Sequence, residues 1–137
     1  MAKLTTYIFS EDARSQAEFY IKALGGEIRS VTTYGDIPGT KEELRDKIIN
    51  LSFVAAGVHF LMSDFVYDSL RYGNSTTLML EFESEQEARR AFANLAVDGK
   101  VKLPLEPAFW GALFGEIEDK YGIQWMITTE PKANQAP

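Results

Sequence analysis

His59 is the only histidine in a chain of 137 residues, and the chain has no cysteine. Side chains that titrate near neutral pH are therefore scarce, and His59 is the natural starting point for any proton-transfer chemistry. If 58–63 is a strand, alternation sets His59 on one face with Leu61 and Ser63. The same reasoning puts Glu81 and Asn50 on the equivalent mixed faces of their own strands. A histidine beside a carboxylate can act as general base, so His59 and Glu81 form the candidate catalytic pair. The competing role is a histidine hydrogen-bonded in the sheet or facing water, and a single titratable group with an unlocated partner favours it. Glu81 needs a partner if it is buried, and an Arg or Lys neighbour would make it structural.

The missing cysteines exclude disulfides, thiolate metal sites and cysteine nucleophiles together. With one histidine, a metal site would rest mostly on carboxylates. Tyr7 and Asn50 offer hydrogen bonds on the mixed face, and Met79 and Gln124 share it. Trp125 falls on an apolar face and reads as core. Trp110 and Phe114 fall in a strand flanked by glycines, where either could wall a pocket. The candidate ligand-binding residues are therefore Tyr7, Asn50, Met79, Trp110, Phe114 and Gln124. Glu116, Glu118 and Asp119 are expected to line a turn before the last strand, and Asp64 to cap one. Gly25-Gly26 follows a helix, whereas a phosphate loop would precede one. The carboxylate pair of glycosidases has no support, as no two acids can be placed at a defined separation from sequence.

These residues need elements to hold them. Segments 4–9 and 76–82 read as strands, each leading into a helix. Ser10 followed by Glu11 and Asp12 caps the first helix; Ser84 with Glu87 forms a capping box on the second. Acids in a first turn also suit the helix dipole. Ala88, Ala91, Phe92 and Leu95 follow helical spacing, as do Ala13, Ala17, Tyr20 and Leu24, with Phe19 beside them. Gly25-Gly26 and Asp98-Gly99 stop the two helices. A shift of about 73 residues superposes Phe9 on Phe82, Phe19 on Phe92, Gly26 on Gly99 and Ile28 on Val101.

Three strands follow each helix, roughly 27–34, 47–55 and 58–63, then 100–105, 109–117 and 123–128. The result is α+β: two strand–helix–strand–strand–strand modules, about 4–63 and 76–128, in one domain spanning 1–130. Ile49, Leu51 and Phe53, then Val58, Phe60 and Met62, then Leu78, Leu80 and Phe82, and finally Ile123, Trp125 and Ile127 make faces that pack on the helices. The opposite, mixed faces suggest a lined cavity, or a half-solvated sheet. Thr40 and Glu43 predict a short helix within the insertion 35–46. The polar segment 131–137 is expected to be a flexible tail.

Apolar content of 45% against 25% charged residues describes a folded domain rather than a disordered chain. The net charge of −6, with bases interspersed among acids, argues against nucleic acid as a partner. Apolar runs are strand-sized, well short of the roughly 20 residues that span a bilayer, so no membrane partner is expected. Met1-Ala2-Lys3-Leu4-Thr5 opens no stretch of signal-peptide length, and the expected compartment is cytoplasmic.

The run Tyr7-Ile8-Phe9, Ala17-Glu18-Phe19-Tyr20 and Leu24-Gly25-Gly26 resembles the opening of vicinal oxygen chelate proteins, the glyoxalase and bleomycin-resistance superfamily. Phe60-Leu61-Met62-Ser63-Asp64, Phe109-Trp110-Gly111 and Tyr121-Gly122-Ile123-Gln124-Trp125 resemble its PhnB-like branch. The resemblance implies glyoxalase-like paired βαβββ modules whose strands form a curled mixed sheet around a cup, in a homodimer. In metal-dependent members, His, Glu or Gln ligands come from the first and last strand of each module. The matching positions here are Thr5, Leu61, Thr77 and Met126. Threonine is a poor donor to divalent ions, leucine is none, and methionine suits soft ions, so no metal and no other cofactor is expected.

PhnB-like proteins are often labelled ubiquinone-pathway methyltransferases, but no glycine-rich loop follows the first strand as nucleotide-type cofactor folds require. The resemblance implies metal-independent binding of a small, partly apolar molecule; bleomycin-resistance relatives sequester a cationic antibiotic in this way. The alternatives are a metal-dependent lyase or dioxygenase with unexpected ligands, an acid–base enzyme using His59 and Glu81, or a structural dimer.

Overall fold

The computed structural model describes residues 1–131. The chain divides into two compact units, Met1–Arg71 and a second that begins at Tyr72. The first contains β1 (Thr6–Ser10), α1 (Ala13–Leu24), β2 (Gly26–Thr33), β3 (Ile48–Ala55) and β4 (Val58–Asp64). Its sheet runs β1-β4-β3-β2, with β1 parallel to β4 and the other neighbours antiparallel. The second contains β5 (Leu78–Phe82), α2 (Glu85–Leu95), β6 (Lys100–Pro107), β7 (Leu113–Glu118) and β8 (Gln124–Thr129). Its order, β5-β8-β7-β6, repeats the first. The α+β class and the repeated βαβββ module are as expected. Each module contributes its own four-stranded mixed sheet.

In the first unit α1 packs mainly on β3. Ala13, Gln16, Ala17, Tyr20 and Ala23 are its buried residues. The Gln16 amide lies on that face because its Nε2 donates to Tyr20 Oη at 2.8 Å. Tyr20 stacks on Phe53, which stacks on Phe60 with centroids 5.1 Å apart. Leu51 and Met62 are fully buried beside them. Each such side chain contributes about 1.5–3 kcal/mol on leaving water. In the second unit Ala88, Ala91 and Leu95 face β7 and β8. Gly115 leaves room for the Phe92 ring, which a Cβ there would strike.

Several local expectations are corrected. Asp12, not Ser10, caps α1, accepting from the Ser15 N–H at 3.2 Å, while Ser10 Oγ accepts from the Asp12 N–H. Ser84 caps α2 as expected, accepting from the Glu87 N–H at 3.1 Å. The insertion holds two 3₁₀ turns, Tyr34–Asp36 and Glu42–Leu44, rather than a helix capped by Thr40. The Thr40 hydroxyl instead donates to the carbonyls of Tyr34 and Ile37, bonds that hold the loop shut. Ile48 rather than Ile49 is the buried residue at the start of β3, beside a bulge between Thr32 and Thr33. β7 begins only at Leu113, so Phe109 and Trp110 sit on a turn closed by Ala108 and Ala112, and only Phe114 is in the strand.

The repeat is real, but its shift changes along the module. Buried Ile8 corresponds to buried Leu80, and the caps Asp12 and Ser84 correspond, one residue closer than the sequence match implied. Phe9 therefore aligns with Glu81 on an open face, while Phe82 turns towards its helix. The longer shift returns at Gly26 and Gly99. At both, a side chain would collide with a neighbouring strand's carbonyl oxygen, that of Val54 or of Glu118. Among the described residues no helix is long and apolar enough to cross a membrane. The expected flexible tail lies, from residue 132, outside the described residues.

Candidate functional site

The first sheet has one face under α1 and one face left open. Strand register puts Tyr7 beside Leu61 and Leu61 beside Ser52, then Phe9 beside Ser63, and Asn50 beside Thr32. On this face the Tyr7 and Phe9 rings meet at 5.3 Å, and Phe9 and Phe65 at 5.2 Å. Phe65 and Tyr67 continue the line at 6.3 Å. Tyr7 is 42% exposed, Phe9 51% and Tyr67 82%, with Phe65 half-buried between Phe9 and Tyr67. Sequence reasoning missed Phe65, Tyr67 and Tyr34. The alternation of His59, Leu61 and Ser63, carried two steps further, lands on Phe65 and Tyr67 and was the available signal.

Tyr34 hydrogen-bonds with Tyr67. That bond, then burial and the nearby Tyr67, Tyr7 and Asp64, raises its phenol above the ordinary value of 10.0. Asp64 is a clamp rather than a reactive acid. Its Oδ1 accepts the Ala13 N–H at the start of α1, and its Oδ2 accepts the Ile48 N–H at the start of β3, both at 2.7 Å. An open acidic pocket of about 410 Å³ adjoins it, lined also by Glu11, Asp12, Glu42, Glu43, Asp46 and Lys47.

His59 is exposed, and its Nε2 lies 2.7 Å from Ser52 Oγ across the β3–β4 pair. Glu81 belongs to the second unit, on the open face of β5 opposite Thr128. It too is exposed, so burial does not require a partner for it. Within its own sheet, then, His59 is paired with a hydroxyl rather than a carboxylate.

On the open face of the second sheet Met79 lies beside Met126, and Met126 beside Glu116. Met79 is 59% exposed. Trp110 meets Phe109 edge-on at 4.9 Å and Phe114 at 5.5 Å, a second aromatic group. Gln124 is buried and committed to neighbours. Its Nε2 donates to Glu118 Oε1 and its Oε1 accepts from Lys102 Nζ, both at 2.8 Å. Glu116 and Glu118 belong to β7 itself, whereas Asp119 does organise the turn, accepting N–H groups from Tyr121 and Ile123.

The positions matching family metal ligands do not fit a divalent ion. Thr5 and Thr77 lie just before β1 and β5, and the partner of Leu61 is Tyr7 while that of Met126 is Met79. Neither pair offers the imidazole or carboxylate donors such an ion requires. Among the described residues no three His, Cys, Asp or Glu side chains are grouped to hold a metal.

A family model described as 3-demethylubiquinone-9 3-methyltransferase matches residues 2–128. Protein YjdN of Escherichia coli (strain K12) is 26% identical over 136 residues, covering 90% of this chain and 92% of that one. The crystal structure of protein PA1353 from Pseudomonas aeruginosa superposes with a TM-score of 0.79 at 29% identity, covering 96% of this chain and all (100%) of that one. The PhnB protein from Bacillus cereus gives a TM-score of 0.78, also at 29% identity, over 94% of this chain and 100% of that one. With the βαβββ repeat in both units, the chain belongs to the family described as 3-demethylubiquinone-9 3-methyltransferase, the PhnB-like branch of the glyoxalase superfamily.

Proposed function

We propose that this protein binds a small, partly apolar molecule without the help of a metal. The observation that carries the reading is the strip of rings from Tyr7 through Phe9 and half-buried Phe65 to Tyr67, exposed at Tyr7, Phe9 and Tyr67. Exposed aromatic groups in mutual contact are a costly surface in water and a favourable one for a planar or apolar ligand. Asn50 supplies a polar group beside them, and Met79, Trp110 and Phe114 give the second unit a comparable face. We further propose that the protein is a cytoplasmic homodimer, as its resemblance to the glyoxalase superfamily implies.

Methyl transfer, which the family description names, has little support in these residues. The link from β1 to α1 is Glu11-Asp12, acidic and without glycine, where a nucleotide-type cofactor would need a glycine-rich turn. Acid–base catalysis is favoured by one observation, the 2.7 Å contact of His59 with Ser52. A catalytic base is usually oriented by a further group, and this histidine faces solvent on a regular sheet.

The test is a thermal-shift and tyrosine-fluorescence screen of the protein against divalent metals and small planar or partly apolar metabolites. A ligand that prefers the native state raises the melting temperature. Tyr7→Ala and Phe9→Ala should each weaken the best ligand by about tenfold, or about 1.4 kcal/mol. Silence across the panel, or affinity indifferent to both substitutions, overturns the proposal. Stoichiometric metal in the purified protein overturns its metal-free part.

A further inference from the structure

The chain has no cysteine, so the thiols that usually take up oxidising equivalents are missing. Tyrosine and tryptophan are left to meet one-electron oxidants, and two of the six tyrosines touch hydroxyl to hydroxyl. We propose that Tyr34 and Tyr67 are a modification site, coupled into a dityrosine by a one-electron oxidant such as a peroxidase's ferryl haem or a peroxyl radical. The new bond fastens the loop 34–47 to the segment 65–71. Each phenol gives one electron to the oxidant and its O–H proton to water. The two phenoxyl radicals then form a single bond between ring carbons ortho to their oxygens. The hydrogens on those carbons return to the oxygens and restore both phenols. Two electrons and two protons leave in all, and the chain becomes lighter by two hydrogens.

Both phenols are held in place by their own segments. The Tyr34 N–H donates to the Lys47 carbonyl and the Gly35 N–H to the Arg45 carbonyl, both at 2.9 Å, so Tyr34 sits at the closed neck of its loop. The Phe65 N–H donates to the Ser10 carbonyl at 2.8 Å, and the Phe65 ring meets Phe9 on one side and Tyr67 on the other. A hydrogen bond between two hydroxyls sets their oxygens roughly 2.7–2.8 Å apart. The ortho carbons, two bonds from those oxygens, then lie within a short ring rotation of each other. Coupling of a pair held this way is intramolecular and outpaces encounters between free rings. Tyr67 is 82% exposed and open to the oxidant, with Tyr34 half-buried behind it. Tyr20 is fully buried, and Tyr72 lies against Gly122 in the second unit.

A brief flash on the full chain with ruthenium tris-bipyridyl and persulfate supplies the oxidant. Blue dityrosine emission should appear in monomeric chains lighter by two hydrogens, and trypsin should release peptides 30–41 and 48–71 as one fused species. Tyr34→Phe and Tyr67→Phe keep the ring and remove only a hydroxyl, and each should lower the emission at least about tenfold. Tyr72→Phe should leave it within about twofold, and the same flash in urea, where nothing holds the pair, should lose about tenfold or more. The linked chain should melt at a higher temperature, because the link removes conformations from the unfolded state. No dityrosine, emission indifferent to Tyr34→Phe and Tyr67→Phe, or an equal yield in urea overturns the site. So does a link found only between chains, or one that fuses peptide 4–14, which carries Tyr7, in place of 30–41 or 48–71. A linked chain that melts no higher overturns the fastening of the two segments.

Discussion

The Trp125 indole N–H donates to Asp119 Oδ2 at 2.8 Å in the interior of the second unit, where Asp119 is 2% exposed and Trp125 fully buried. The same carboxylate accepts the N–H groups of Tyr121 and Ile123, so one side chain shapes the turn and anchors the largest core residue of the unit. Asp64 does comparable work in the first unit by joining the starts of α1 and β3.

Replacing Asp119 with Ala should cost about 3 kcal/mol or more, because it leaves a buried indole N–H and two turn N–H groups without their acceptor. Equilibrium urea unfolding measures this. Trp125→Phe should be milder than Asp119→Ala only if part of the cost comes from the turn.

Asp64→Ala should destabilise by about 2–3 kcal/mol through the loss of two charge-assisted hydrogen bonds. Asp64→Asn keeps one acceptor oxygen and should fall between Ala and the unsubstituted chain in the same urea experiment.

Gly26 and Gly25 are adjacent but differ in why they are glycine. At Gly26 a Cβ would collide with the Val54 carbonyl oxygen, so Gly26→Ala must displace β3 and should cost about 3 kcal/mol or more. At Gly25 the surrounding space is open, but φ of 80° with ψ of 130° lies outside the left-handed helical well, so Ala should cost about 1–3 kcal/mol from the backbone alone. Thermal melting of the two variants separates them.

His59→Ala should change stability by less than about 1 kcal/mol, since its contact with Ser52 is exposed and water replaces it. A double-mutant cycle with Ser52→Ala measures the pair. A coupling of several kcal/mol would show the two to be a preorganised unit and would revive the acid–base reading.

Tyr34 predicts an alkaline effect. Its phenol is raised in the folded protein, so between the ordinary value of 10.0 and the raised one the unfolded chain has lost a proton that the native state keeps. Stability is fully present below pH 10.0 and falls as pH rises through that window. Tyr34→Phe should flatten this alkaline arm, read by denaturant unfolding at several pH values alongside the phenolate absorbance titration.

Much of this molecule is determined within short windows of sequence. Gly26 and Gly99 answer to strands distant in sequence, whereas Ser84 with Glu87 and the stripe Ala88, Ala91 and Leu95 act through neighbours a few residues away. Two copies of a module and one apolar face per strand follow from them. Only tertiary structure decided which side chains meet. Asp12 took the cap of α1 from Ser10, because Ser10 Oγ accepts the Asp12 N–H instead. The Gln124 amide is held between Lys102 and Glu118, partners that alternation along its own strand does not reveal. His59 and Glu81 stand on different sheets, and the side chain that meets His59 is Ser52, diagonal to it across the β3–β4 pair, where register sets Val54 opposite His59. Tyr34 and Tyr67 lie in segments that local patterning left as a strand end and a linker. Their meeting depends on loop closure, which alternation along one strand does not encode.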